Sequence, residues 1–161
     1  MEITKPFLFF SMQLDASPQL NMGRLFLIDE KLGFIGRWIA TSGLGDYQDV
    51  GEWSKQGGGC IPPNYRLKGV PFYKVHTKPI YQSLGGINSN TYYIDPITVQ
   101  TDDGIDRGEL LIHKSRFALP MSGSLGCVVL PDSEFSDFEK TFFKCSKFET
   151  VPLLVGYVFQ P

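Results

Sequence analysis

Histidine is scarce in this chain: two occur among 161 residues, His76 and His113, so chemistry that needs an imidazole has two candidates. Cysteine is nearly as sparse. Cys60, Cys127 and Cys145 stand far apart with no C-x-x-C pair, which gives neither the ligand spacing of a zinc site nor an even disulfide framework. At least one thiol is therefore free, and no metal or organic cofactor is implied. Long apolar runs are missing as well. Phe7–Phe10 is too short for a secretory h-region, and nothing approaches the roughly 18 apolar residues of a membrane span. The expectation is a chain with no signal peptide and no transmembrane segment. Charge of one sign is also lacking, since fifteen Lys and Arg face seventeen Asp and Glu for a formal charge of -2. That balance carries no electrostatic footprint for nucleic acid or an anionic membrane.

What is present suits one ordinary globular domain over residues 1–161. Apolar residues make up 42% and charged residues 20%, while thirteen Phe and seven Tyr help raise the aromatic share to 14%, a bias toward strands. Gly23–Asp29 and Phe34–Thr41 flank Glu30-Lys31-Leu32-Gly33 and read as a β-hairpin. Ser42–Pro63 is rich in glycine, ends in two prolines and reads as a surface loop continuing to Leu67. Further strands are expected at Tyr92–Ile94, Ile97–Gln100, Glu109–His113, Cys127–Leu130 and Val151–Phe159. One helix is expected at about 132–144, capped by Asp132 or Ser133, with Phe135, Phe138 and Phe142 at helical spacing as its buried face. The fold class is mostly β with one main helix.

The chemistry concentrates in Gly108–Leu130. Leu110-Leu111-Ile112 runs as an apolar strand into His113, a polar loop leads to Ser122-Gly123-Ser124-Leu125-Gly126-Cys127, and Val128-Val129-Leu130 follows as a second apolar strand. Two such strands side by side would bring the imidazole to the thiol. A thiol needs that neighbour, because its reactive form is the thiolate and an unassisted cysteine has a pKa of about 8.5. Gly126, without a side chain, lets the backbone approach a substrate carbonyl and turn N–H groups toward an oxyanion. The competing reading makes Cys127 a small buried hydrophobe and His113 a satisfied strand residue.

In this segment the chain resembles the L,D-transpeptidase (YkuD-like) catalytic domain, in which a strand-borne His precedes a Ser/Thr-x-Gly-Cys element; the matching positions are His113, Ser124, Gly126 and Cys127. Ile61–Leu67 is similar to the family's strand before the catalytic half, and Trp38–Gly43 to its earlier strand ending in Ser/Thr-Gly. Leu125 stands where the family often has His, and Val129 where it often has a polar residue or Arg. These departures suggest a divergent branch, such as the peptidoglycan enzymes of phages and interbacterial toxins.

The resemblance implies an L,D-transpeptidase-like β-sandwich acting on peptidoglycan stem peptides. Cys127 would be the nucleophile and His113 the base, with oxyanion and loop support from Ser124, Leu125 and Gly126. Arg107 and Arg116 flank His113 and could grip a stem-peptide carboxylate, or be solvated surface residues. The expected partners are stem peptides, with an immunity protein if the chain is a toxin. The expected site of action is the periplasm or cell wall, reached by a route the sequence does not encode. Two other readings stand beside this one: a cysteine peptidase or amidase of another fold, and a non-catalytic β-rich phage structural or binding module. His76 reads as a surface or loop histidine, Cys60 as a cysteine with no upstream His, and Cys145 as helix core or surface.

Overall fold

The computed structural model describes residues 2–14, 20–44, 47–48, 55–83, 87–115 and 126–159, with Phe159 described by its backbone alone. Eleven strands and one helix are assigned among them: β1 Pro6–Leu14, β2 Gly23–Asp29, β3 Gly33–Ser42, β4 Tyr73–His76, β5 Ile80–Gln82, β6 Ser89–Asp95, β7 Thr98–Gln100, β8 Asp106–Gly108, β9 Leu111–Lys114, β10 Val128–Leu130, α1 Asp132–Phe142 and β11 Thr150–Phe159. The chain is mostly β with one main helix.

Strand pairing runs β4-β11-β1-β2-β3-β10-β9-β6-β5, and a further β4–β6 ladder joins the ends. Eight strands thus form a barrel-like sheet, with β5 continuing from β6 as an extra edge strand. The expected sandwich of two facing sheets is replaced by this one continuous ladder. Its closure rests on Lys74↔Asp95 and Val75↔Ile94. β7 and β8 form a separate two-stranded ribbon, so the strand expected at Ile97–Gln100 lies outside the main sheet.

The expected hairpin is β2–β3, paired from Gly23↔Ala40 to Asp29↔Gly33. Its turn is held by Asp29, whose Oδ1 accepts from Lys31 N (3.0 Å) and Leu32 N (3.1 Å), while Gly33 supplies the positive φ of 74°. Oδ2 of the same carboxylate accepts from Thr4 N and Lys5 N, both at 2.8 Å, and ties the entry of β1 to this corner. β1 is a central strand between β2 and β11, parallel to the latter through Leu8↔Leu153. The short apolar run at Phe7–Phe10 is part of this strand.

Core side chains of the sheet pack on α1. Phe138 meets Trp38 and Tyr92 edge-on with ring centroids 5.2 and 5.4 Å apart, and Tyr92 meets Phe142 at 5.3 Å. Phe135, Phe138 and Phe142 are all buried, as the helical spacing predicts. The cap differs from expectation. Pro131 follows β10 directly and takes the N-cap position with no side-chain cap hydrogen bond. Asp132 becomes a first-turn residue paired with Lys114 at 3.0 Å, and Glu134 accepts from the backbone N–H of Ile39. Both carboxylates favour the positive end of the helix dipole. The helix ends at Phe142 and tightens into a 3-10 turn over Phe143–Cys145. No helix among the described residues is long and apolar enough to cross a membrane.

Two loop expectations are corrected. Residues 58–63 are buried, not spread over the surface, as is Gln48, whose amide donates to Thr41 Oγ1 and Ser42 O, each at 2.9 Å. The strand expected over Ile61–Leu67 by resemblance is a 3-10 turn at Asn64–Arg66. Pro62 and Pro63 lack the N–H a central strand needs.

Candidate functional site

β9 and β10 are parallel neighbours, with Ile112↔Val128 and His113↔Val129 in register. Ile112 and Val128 both point into the core and are fully buried. The alternation of a strand sends His113 and Val129 to the opposite face, and Cys127, two residues before Val129 at the entrance to β10, falls on that face too. The strand that carries His113 and the strand that Cys127 leads into are thus direct neighbours in the sheet. β9 begins at Leu111 and not at Glu109, because Glu109 takes a positive φ of 55° while its N–H donates to Ile97 O. The thiol lies 3.8 Å from the Glu109 carbonyl.

His113 is only 5% exposed. Its Nδ1 is 2.7 Å from Lys114 O, and a carbonyl oxygen only accepts, so Nδ1 carries the proton. In the neutral imidazole that bond leaves Nε2 with its lone pair, the state a general base requires. His76, by contrast, sits on β4 with Nε2 2.5 Å from Asp95 Oδ2, half-buried on a strand. β6 and β9 stand between it and β10. Of the two histidines, only His113 neighbours the cysteine strand.

The three thiols differ sharply. Cys60 is fully buried, its S–H donates to Ser42 O at 3.2 Å, and burial pushes its pKa up to about 12. Cys145 is buried too, and burial together with the nearby Asp29 charge pushes it up to about 11. Cys127 is the one with partial exposure.

Gly126 has φ of 130°, and a Cβ there would stand 2.3 Å from Arg107 Nη2 and 3.3 Å from Leu110 Cδ2, so the position admits glycine alone. Its carbonyl accepts from Ser42 Oγ at 3.2 Å, and Ser42 Oγ in turn accepts from Ile61 N at 2.8 Å. The Gly126–Cys127 peptide is trans, so fixing this C=O toward Ser42 points the Cys127 N–H the opposite way. An N–H so fixed beside a nucleophile is the donor an oxyanion requires. Sequence reasoning gave Ser42 no such role. The signal available was the similarity of Trp38–Gly43 to a strand ending in Ser/Thr-Gly.

Arg107, on β8, is 4% exposed, with Nη1 donating to Cys60 O at 3.1 Å and Nη2 to Gly59 O at 3.0 Å. Its burial overturns the solvated-surface reading. Arg116, Ser124 and Leu125 lie outside the described residues. Comparison with known proteins returned no match: no family model fits the sequence, and neither a curated protein nor a solved structure is similar to it.

Proposed function

We propose that the chain is a cysteine-dependent peptidoglycan enzyme of the L,D-transpeptidase type, and that its barrel-like sheet is a divergent form of that family's catalytic fold. The observation that carries the proposal is the pairing of β9 with β10. It supports the reading by setting the strand of His113, whose Nδ1 donates to Lys114 O, beside the strand that follows the partly exposed thiol. Gly-Cys chemistry and strand-borne histidine are the features on which the resemblance rests, and Ser42 adds an oriented N–H beside the sulfur.

In the reaction, His113 Nε2 takes the thiol proton and the Cys127 sulfur attacks the stem-peptide carbonyl that precedes a D-amino acid. The carbonyl π electrons move to oxygen, where the Cys127 N–H stabilises the charge. Collapse breaks the C–N bond, His113 returns the proton to the leaving amine, and a thioester on Cys127 remains. An amine of a second stem peptide or a free D-amino acid, or else water, then attacks the thioester, loses its proton to His113 and restores the thiol. Transfer to an amine cross-links or exchanges; transfer to water cleaves.

Purified peptidoglycan incubated with the protein, digested to muropeptides and analysed by mass spectrometry tests this. Wild type should shorten, exchange or cross-link stem peptides at the bond before the D-residue, and Cys127→Ala should leave them unchanged. Muropeptides untouched by wild type would remove the substrate reading.

A further inference from the structure

The Arg107 guanidinium is buried against the Gly126 backbone, within 2.3 Å of where a Cβ would be, and is anchored from behind by the carbonyls of Gly59 and Cys60. We propose that Arg107 is a positioning residue that clamps the Gly126–Cys127 turn and acts, independently of His113, as a fixed cation favouring the Cys127 thiolate. This rests on the reading of Cys127 as the nucleophile.

Three observations converge on it. First, the clamp reaches from the ribbon strand β8 to the buried 58–63 segment and the cysteine turn at once, so the guanidinium has little freedom to leave. Second, arginine stays protonated at every working pH. Burial lowers its pKa from the usual value, and charge at Tyr73, Tyr157, Cys60 or Cys127 would raise it again. Third, burial keeps most of those groups neutral at pH 7. Tyr73 donates its hydroxyl to Pro62 O and Tyr157 donates to Ile61 O, burial raises both phenols, and Cys60 is pushed up to about 12. Cys127 is the member of that group with partial exposure, so it is the one whose ionisation can answer the cation. Among the described residues, Glu109 approaches the thiol through its carbonyl and is itself exposed, and His113 lies on the neighbouring strand β9.

The test is the pH dependence of Cys127 alkylation by iodoacetamide, read by peptide mass spectrometry, which does not depend on what the enzyme acts on. In wild type the midpoint should lie below the ordinary thiol value of about 8.5. In His113→Gln it should rise but stay below that value, since Arg107 remains. Adding Arg107→Gln to His113→Gln should raise it by about one further pH unit, a tenfold fall in thiolate at pH 7. Arg107→Lys, which keeps charge but not the double carbonyl clamp, should fall between. A His113→Gln midpoint already at the ordinary value overturns the inference without needing any Arg107 variant to fold, as does a folded Arg107→Gln variant with an unmoved midpoint. An ordinary midpoint in wild type overturns the nucleophile reading and this inference with it. A depressed midpoint in His113→Gln, in a protein inert on peptidoglycan, supports the inference while removing the substrate.

Discussion

Ser42 Oγ bonds the carbonyl of Gly126 at 3.2 Å across 84 positions of sequence, and through that bond sets the direction of the Cys127 N–H. Ser42 is fully buried and also satisfies the N–H of Ile61. Ser42→Ala should lower turnover on muropeptides by about ten- to a hundredfold, less than deletion of a whole oxyanion donor, with KM little changed. It should also cost about 1–3 kcal/mol of stability, because two buried backbone groups lose their partner. Steady-state kinetics beside urea unfolding checks both; a large KM effect with unchanged kcat would place Ser42 outside the reaction.

The thiols should label in strict order. At pH 7 iodoacetamide should modify Cys127 and leave Cys60 and Cys145, whose pKa values burial holds near 12 and 11. In guanidinium all three should react, and native Cys127→Ala should take up none. Rapid native labelling at Cys60 would contradict the assignment.

Acid should find the Asp29 corner. Burial alone would raise this carboxyl, but four backbone N–H bonds outweigh it and hold the pKa at about 2, below the ordinary carboxylate value. A lowered folded pKa contributes stability that is complete above the unfolded value and lost as pH falls through the folded one. The stability difference between wild type and Asp29→Asn should therefore be largest near neutrality and shrink between pH 4 and 2. Urea unfolding of both proteins across that range measures it, and a difference independent of pH would contradict it.

The parts of the fold legible in sequence are those set by near neighbours. The β2–β3 hairpin announces itself through alternating apolar residues around a turn, and α1 through its Phe spacing. The His113 and Cys127 strands follow from two apolar runs joined by one loop. β1 is hidden because its first outward residues, Phe7 and Phe9, are apolar too: Phe9 stacks on Phe26 with centroids 6.2 Å apart, and Phe26 meets Phe34, so the period-2 signal is lost over the first half of the strand. The pairing of β4 with β11, and the reach of Ser42 to Gly126, join segments far apart in the chain, which local patterning does not encode. The burial of 58–63 is not legible because glycine and proline mark a turn as readily as they mark a backbone packed too closely for side chains.

The central claim is that Cys127 carries the acyl group, and trapping the intermediate tests it most directly. Wild type mixed rapidly with a muropeptide bearing a tetrapeptide stem, quenched in acid and digested, should show the Cys127 peptide heavier by the donor less its terminal D-amino acid. His113→Gln should accumulate that species more slowly, and Cys127→Ala should show neither adduct nor product. Product formed by Cys127→Ala, or an acyl adduct on any other residue, would contradict the account.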